Sequence, residues 1–284
     1  MTTIQTILMQ AARDLAKSGS PSPRLDAEVL LMHVLKSDRV RLYLYPERAL
    51  TVEEAAGFAG VIERRRRGEP VAYILGEKEF WSLSFVVNRE VLIPRPETEC
   101  LIEEVLRCCK PKSRDLTIID IGTGSGVIGI VLAMEFPLAR VVATDISPGA
   151  LAVARRNADR HGVAGRMDFR HGNLFTAPSG SFDIIVSNPP YIPDGVYSDL
   201  PAGIREFEPR GALVAGPDGA AFHREIIREG CGRLKPGGRI FLEIGEGQGD
   251  LVGSLYRDAG EYDEIRICKD YGEMDRIVTA KRKN

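Results

Sequence analysis

Residues 116–136 read LTIIDIGTGSGVIGIVLAMEF, and this stretch decides the fold. Leu116 to Ile121 is a short run rich in apolar and β-branched residues, the composition of a strand buried on both faces. Gly122, Gly124 and Gly126 then interrupt it. Glycine permits a tight turn and lets a ligand approach the backbone closely. Val127 to Phe136 resumes as an apolar helix. Strand, glycine loop and helix together make the opening unit of a nucleotide-binding parallel sheet. The loop alone leaves its ligand open. Gly124-Ser125-Gly126-Val127-Ile128-Gly129 satisfies the dinucleotide pattern G-x-G-x-x-G, and Asp145 stands near the spacing of a ribose-binding acid. A nicotinamide dehydrogenase and an S-adenosylmethionine enzyme both fit. In either, Asp145 at a strand's end accepts hydrogen bonds from ribose hydroxyls.

Downstream the alternation continues. RVVATD (140–145) reads as a strand, Pro148–His161 as a helix, and MDFRHG (167–172) and FDIIVS (182–187) as strands. Gly219–Leu234 reads as a helix, RIFLEIG (239–245) as a strand, and the tail as two more strands. Strands alternating with helices predict an α/β, doubly wound, Rossmann-like sheet. It should be mostly parallel, with an antiparallel strand near the C-terminus. Upstream the period changes to that of helices. Ile4, Ile7, Leu8, Ala11, Ala12 and Leu15 keep helical spacing. Ser22-Pro23 offers an N-cap and first-turn proline for a helix over Leu25–Leu35. Thr51 with Glu54 forms a capping box. Residues 76–95 read as a β-hairpin of short strands around Asn88-Arg89-Glu90, and PRPETE (94–99) opens the next helix. The expected organisation is a helical domain over 1–75, a hairpin linker over 76–95 and the sheet-bearing domain over 96–284.

Ser187-Asn188-Pro189-Pro190-Tyr191 directly follows the strand FDIIVS, and in open α/β sheets ligands sit at the carboxyl ends of strands. The two prolines remove two N–H donors and fix φ. They also hold Asn188 extended. The result is a rigid strip of acceptors, the Asn188 side-chain oxygen among them. It suits a planar NH2 group with two N–H donors, on which Tyr191 could stack. Such a strip serves methyl transfer to a conjugated amino nitrogen. That nitrogen's lone pair is delocalised, and acceptors that polarise its N–H bonds and aim it supply the catalysis.

At this point the chain resembles the PrmC/HemK family of protein-glutamine methyltransferases. The resemblance rests on RRRRGEPVAYILGEKEFW (64–81), LIPRPETE (92–99), DIGTGSGVIGI (120–130), SNPPYIP (187–193) and EFEPRGALVAGPDG (206–219). It implies S-adenosyl-L-methionine as cofactor. It also implies transfer of its methyl to the glutamine of the Gly-Gly-Gln motif in class I peptide chain release factors, with the helical domain recognising that substrate. Gly122, Thr123, Gly124, Ser125 and Gly126 would then line the methionine end of the cofactor, and Asp145 would hold the ribose. Asn173 and Leu174 would flank the adenine. Asn188, Pro189, Pro190 and Tyr191 would form the catalytic strip, Asn188 also bordering the cofactor. The family often carries an acid where this chain has Asn173, which implies a weaker adenine preference. Glu97 and Thr98 are read either as neighbours of the methionine end or as first-turn caps. Phe207-Glu208-Pro209 is read as shaping the site loop.

Composition narrows the alternatives. Lys and Arg number 38 against 40 Asp and Glu, a net charge of −2. A DNA or RNA amino-methyltransferase would face the same planar NH2 but usually carries a basic recognition surface, so no direct DNA binding is expected. A glutamine methyltransferase of a large-subunit ribosomal protein shares the motifs and stays open. A dehydrogenase or a non-catalytic nucleotide-binding module leaves the Asn-Pro-Pro-Tyr strip unexplained. Arg64 to Arg67 read as helix-end cations complementing the dipole. The five cysteines show no metal spacing, and His33, His161, His171 and His223 have no paired-ligand pattern, so no metal is expected. His33 reads as a core histidine. With neither a signal-peptide pattern nor a membrane-length apolar run, a cytoplasmic enzyme is predicted; it is also expected to be a monomer.

Overall fold

The computed structural model describes residues 2–176 and 180–284. The chain forms two compact units, one running to Glu77 and including Pro201–Phe207, the other comprising Lys78–Leu200 and Glu208–Asn284.

The first unit is helical: α1 (Ile4–Lys17), α2 (Pro23–Leu35), α3 (Arg39–Leu44), α4 (Val52–Arg66), α5 (Val71–Leu75) and, from its second segment, the short α9 (Ala202–Arg205). The Thr51 capping box is present, the Glu54 N–H donating to Thr51 Oγ1 at 3.2 Å and the Thr51 N–H to Glu54 Oε2 at 3.0 Å. Ser22 stands at the N-cap of α2, but its hydroxyl donates to Asp26 Oδ1 at 2.9 Å and does not cap the helix. Leu15, Leu30, Leu31 and Phe58 centre the core. His33 is exposed, correcting the expectation of a core histidine. The buried face of α2 runs through Ala27, Leu30 and Leu31, and at 3.6 residues per turn position 33 lies off it. Arg64 to Arg67 are all paired within the unit, with Glu69, Asp26, Glu63 and Glu63 in turn.

The hairpin β1 (Glu77–Phe80) and β2 (Leu83–Val86) begins at the last residue of the first unit's opening segment and otherwise opens the second unit. Its turn lies at Trp81-Ser82, both left-handed with φ of 55° and 56°. This corrects the turn expected at Asn88-Arg89-Glu90, and Val91–Ile93 forms no strand. Then follow α6 (Thr98–Cys108), β3 (Thr117–Ile121), α7 (Val127–Glu135), β4 (Arg140–Asp145), α8 (Pro148–Arg160), β5 (Met167–His171) and β6 (Phe182–Ser187). The chain ends with α10 (Ala221–Arg233), β7 (Leu234–Glu243), α11 (Gly249–Ala259), β8 (Tyr262–Lys269) and β9 (Asp275–Arg282).

The seven-stranded sheet has the order β5-β4-β3-β6-β7-β9-β8. Strands β3 to β7 pair in parallel, and β9 runs antiparallel to both neighbours. The doubly wound, mostly parallel sheet with an antiparallel C-terminal strand is thus the observed architecture. Successive strand residues feed opposite faces. Ile118 and Ile184 join the core under α6 and α7, whereas Ile119 and Ile185 join the core under α10 and α11. From β3 the chain winds outward through β4 and β5, then returns to place β6 on the other side of β3. The carboxyl ends of β3 and β6, where Ile121 pairs with Ser187, are therefore the topological switch point at which such sheets bind ligands.

Candidate active site

The glycine loop leaves the end of β3. Gly122, Gly124 and Gly126 hold φ of 68°, 55° and 87°, which glycine alone adopts freely. Their uses differ. A Cβ at Gly122 would meet nothing within 4 Å, so bare backbone faces open space there. A Cβ at Gly126 would stand 2.9 Å from Ile130 Cδ1 and 3.2 Å from Ala154 Cβ, so this glycine lets α7 and α8 pack. Thr123 and Ser125 are buried. Thr123 Oγ1 donates to Asp120 Oδ2 at 2.7 Å, and the Gly129 N–H donates to the same oxygen at 3.0 Å. Burial pushes the Asp120 carboxyl up to about 6. The Ser125 carbonyl accepts from Asn157 Nδ2 at 2.8 Å. Gly122 and Gly124 line a cavity of about 360 Å³; Thr123, Ser125 and Gly126 are not among its lining and brace it from behind.

Asp145 ends β4 and lines the same cavity. Its Oδ2 accepts from the Gly124 N–H and its Oδ1 from the Ser147 N–H, both at 2.9 Å. Each carboxylate oxygen keeps acceptor capacity for a further donor. Asn173 and Leu174 also line the cavity. Leu174 holds φ of 47°, a conformation that costs a residue with a Cβ about 1–2 kcal/mol. Ile146, which sequence reasoning missed, adds an exposed apolar side chain to the lining.

The second loop leaves β6. Ser187 Oγ donates to the Ile121 carbonyl at 2.7 Å, tying the two loop bases together. Asn188, Pro189 and Pro190 line the cavity; Tyr191 does not. The Tyr191 carbonyl accepts from Gln248 Nε2 at 3.0 Å, and Gln248 Oε1 in turn accepts from the Gly245 N–H at 2.8 Å. Burial pushes the Tyr191 phenol up to about 12. A Cβ at Gly219 would come within 2.2 Å of the Tyr191 carbonyl oxygen, so the strip is packed from behind.

Two further residues meet Asn188. Its Nδ2 donates to Thr98 Oγ1 at 3.1 Å, and Thr98 Oγ1 donates to Glu243 Oε2 at 2.8 Å. Thr98, one of the two acids-and-caps candidates of the PRPETE segment, is buried here and does not cap α6, whose N-cap is Glu97. Glu243, at the end of β7, was not anticipated. Glu208 also acquires a structural role. Its Oε1 pairs with Arg95 Nη2 at 2.6 Å and its Oε2 accepts from the Ile93 N–H at 3.1 Å, fastening the segment before α6. Among the described residues no cluster of His, Cys, Asp and Glu could hold a metal, and no helix is long and apolar enough to cross a membrane.

Residues 6–76 match the model of the PrmC N-terminal domain, and residues 98–200 that of the methyltransferase small domain. The chain is 43% identical over 282 residues to the release factor glutamine methyltransferase of Moorella thermoacetica, covering 99% of both chains. It is 42% identical to that of Geobacter sulfurreducens over 98% of this chain and 96% of the relative.

The chain belongs to the release factor glutamine methyltransferase family.

It is a methyltransferase, and its methyl donor is S-adenosylmethionine. These two relatives match the chain over nearly its whole length, helical unit included. More distant solved structures share the fold alone. A methyltransferase from Pyrococcus furiosus matches with a TM-score of 0.54 at 18% identity, over 73% of this chain and 92% of its own. A Thermus thermophilus 16S rRNA N2 G1207 methyltransferase matches with a TM-score of 0.53 at 17% identity, over 73% of this chain and 50% of its own. The cavity's donor set fits the family's cofactor. Open backbone at Gly122, a carboxylate with spare acceptor capacity at Asp145 and apolar side chains at Ile146 and Leu174 suit an amino-acid tail, a ribose and a flat base respectively.

Proposed function

We propose that the chain methylates the side-chain amide nitrogen of the glutamine in the Gly-Gly-Gln motif of class I peptide chain release factors. The observation that carries this reading is Asn188. Its amino group is engaged by Thr98, which leaves its side-chain oxygen for an N–H of a substrate at the wall of the cavity. S-adenosylmethionine, when bound, supplies an electrophilic methyl on a sulfonium. Gly122 and Gly124 would hold its methionine end, Asp145 its ribose hydroxyls, and Asn173 and Leu174 its adenine.

The chain's own work is orientation and polarisation. An amide nitrogen is a poor nucleophile because its lone pair is shared with the carbonyl. Asn188, stiffened by Pro189 and Pro190, draws on one N–H bond and aims the nitrogen. The advantage comes from acceptors already in place before reaction. The helical unit, residues 1–75 in this reading, recognises the release factor. The enzyme works in the cytoplasm as a monomer, and no direct DNA binding is expected of it.

Incubation of the full-length protein with methyl-labelled S-adenosylmethionine tests the reading. Separate reactions contain a class I release factor, its Gln→Glu variant in the Gly-Gly-Gln motif, large-subunit ribosomal proteins and DNA. Label is expected in the first alone. Label on the Gln→Glu variant, or on ribosomal protein or DNA in preference to the release factor, would overturn it.

A further inference from the structure

The two ends of an asparagine amide are nearly the same size, yet one accepts hydrogen bonds and the other donates them. Half a turn of the Asn188 side-chain amide would present NH2 to the cavity in place of oxygen. The prolines that stiffen the strip act on the backbone and do not choose between these orientations. We propose that Glu243, acting through the Thr98 hydroxyl and through the bond it accepts from Asn188 itself, holds the Asn188 amide with its oxygen toward the cavity. This inference rests on the reading that Asn188 Oδ1 accepts the substrate amide N–H. Glu243 and Thr98 are positioning residues; neither lines the cavity.

A hydroxyl has one proton, and an ionised carboxylate has none. The 2.8 Å contact between Thr98 Oγ1 and Glu243 Oε2 therefore takes the Thr98 proton. Thr98 Oγ1 is left with acceptor capacity only, and Asn188, 3.1 Å away, must meet it with NH2. Its oxygen is then turned the other way. Water does not compete for these bonds, since Thr98 is 2% exposed and Glu243 1%. The three residues come from three elements, the first turn of α6, the end of β7 and the loop after β6. The fold builds the relay; no local sequence motif does.

The same chain of bonds would respond to the protonation of Glu243. Several groups surround that carboxyl. Arg276 on β9 favours its ionised form, as do the bonds from Thr98 and Asn188, while Glu97 ahead of α6 opposes it. Tyr191 on the strip stays a neutral phenol. His223 on α10 is held neutral, burial pushing it down to about 4, and its Nε2 donates to the Glu243 backbone carbonyl at 2.8 Å. Burial outweighs the favourable contacts and pushes Glu243 up to about 7. A protonated Glu243 can donate to Thr98 Oγ1. The Thr98 proton is then free for Asn188, whose amide turns to accept it and shows NH2 to the substrate. Turnover should accordingly fall as pH drops through about 7.

The test uses single-turnover methylation of a release factor by the full-length enzyme, saturated with cofactor and substrate, from pH 6 to pH 9. Thr98→Val removes the hydroxyl at nearly constant shape, and Thr98→Ser retains it. Thr98→Val is expected to lose about tenfold or more in turnover at high pH, as for a misaligned catalytic group, with cofactor affinity close to wild type and a lowered melting temperature, because the buried Glu243 and Asn188 each lose a hydrogen-bond partner. Thr98→Ser should restore most of the rate. The acid limb near pH 7 should vanish in Glu243→Gln, which has no titratable group at that position and gives a second readout if Thr98→Val folds poorly. Thr98→Val at the wild-type rate, Thr98→Ser as slow as Thr98→Val, or an acid limb unchanged in Glu243→Gln would each overturn the relay. Asn188→Ala run alongside separates the two claims. A wild-type rate in that variant sinks the reading of Asn188 itself, whereas a slow Asn188→Ala beside a fast Thr98→Val sinks only the relay.

Discussion

The glycine loop and the Asn-Pro-Pro-Tyr strip leave neighbouring strands at paired residues, Ile121 and Ser187, yet they are made from different material. The loop presents backbone. Gly122 offers bare main chain to open space, and the carboxylate of Asp145 is oriented by two N–H groups, those of Gly124 and Ser147. The strip presents a side chain, Asn188, oriented by other side chains, Thr98 and Glu243. In the proposed reading, the backbone surface holds the methyl donor, which is the same in every turnover, and the side-chain acceptor selects what can be methylated. Substitutions at the two ends should therefore separate affinity for the methyl donor from turnover.

Asn188→Ala should give the largest effect. It removes the acceptor and leaves Pro189 and Pro190 in place. Turnover is expected to fall by roughly a hundredfold or more, the usual loss of one aligned transition-state hydrogen bond. Cofactor affinity, measured by calorimetry, should stay close to wild type because Gly122, Gly124 and Asp145 are untouched. A cofactor affinity that falls as steeply as turnover would show that the two ends are not independent.

Asp145→Ala is the converse. Two ribose hydroxyls would lose a charged acceptor, with a cost of about 1.5–3 kcal/mol, or roughly ten- to a hundredfold in cofactor affinity. Turnover at saturating cofactor should change far less. The Gly124 and Ser147 N–H groups also lose their partner, so a melting curve must accompany the titration. An unchanged affinity would remove Asp145 from the cofactor site.

The sequence made one end of the site more readable than the other, for a physical reason. The glycine loop is local. Its strand, turn and helix fall within 116–136, and hydrophobic period and glycine spacing are enough to place it. The strip was readable up to Asn188, because proline's effect on its own backbone is local too. Thr98 and Glu243 were not, since 145 residues separate them and only the order of strands brings them together. Elsewhere the misreadings share a cause. The hairpin turns at Trp81-Ser82, where two residues with side chains adopt positive φ, while turn chemistry favours residues such as Asn for that conformation and so pointed to Asn88-Arg89-Glu90. Helix α11 begins at Gly249, shortly after Gly245 and Gly247, and no helix was expected there; its apolar face becomes evident only where Val252 and Tyr256 pack against the sheet.

Asn173→Asp should produce the smallest effect, and it sharpens the comparison from the cofactor side. Asn173 lines the cavity beside Leu174 but is itself exposed. Its backbone carbonyl is used by Thr176, whose N–H donates at 2.9 Å and whose hydroxyl donates at 2.7 Å, so the local turn does not depend on the side chain. Substitution should therefore leave the fold unchanged. An amide oxygen can already accept from an adenine amino group; a carboxylate accepts more strongly, by about 1 kcal/mol where both are hydrogen-bonded. Solvent exposure reduces that gain. Asn173→Asp is expected to tighten S-adenosylmethionine by about twofold to fivefold, with the gain shrinking as salt is raised and with turnover on the release factor unchanged. Weaker binding in the variant would place Asn173 away from the adenine amino group, and a change in turnover without a change in affinity would mean that this side chain works at the substrate end of the cavity.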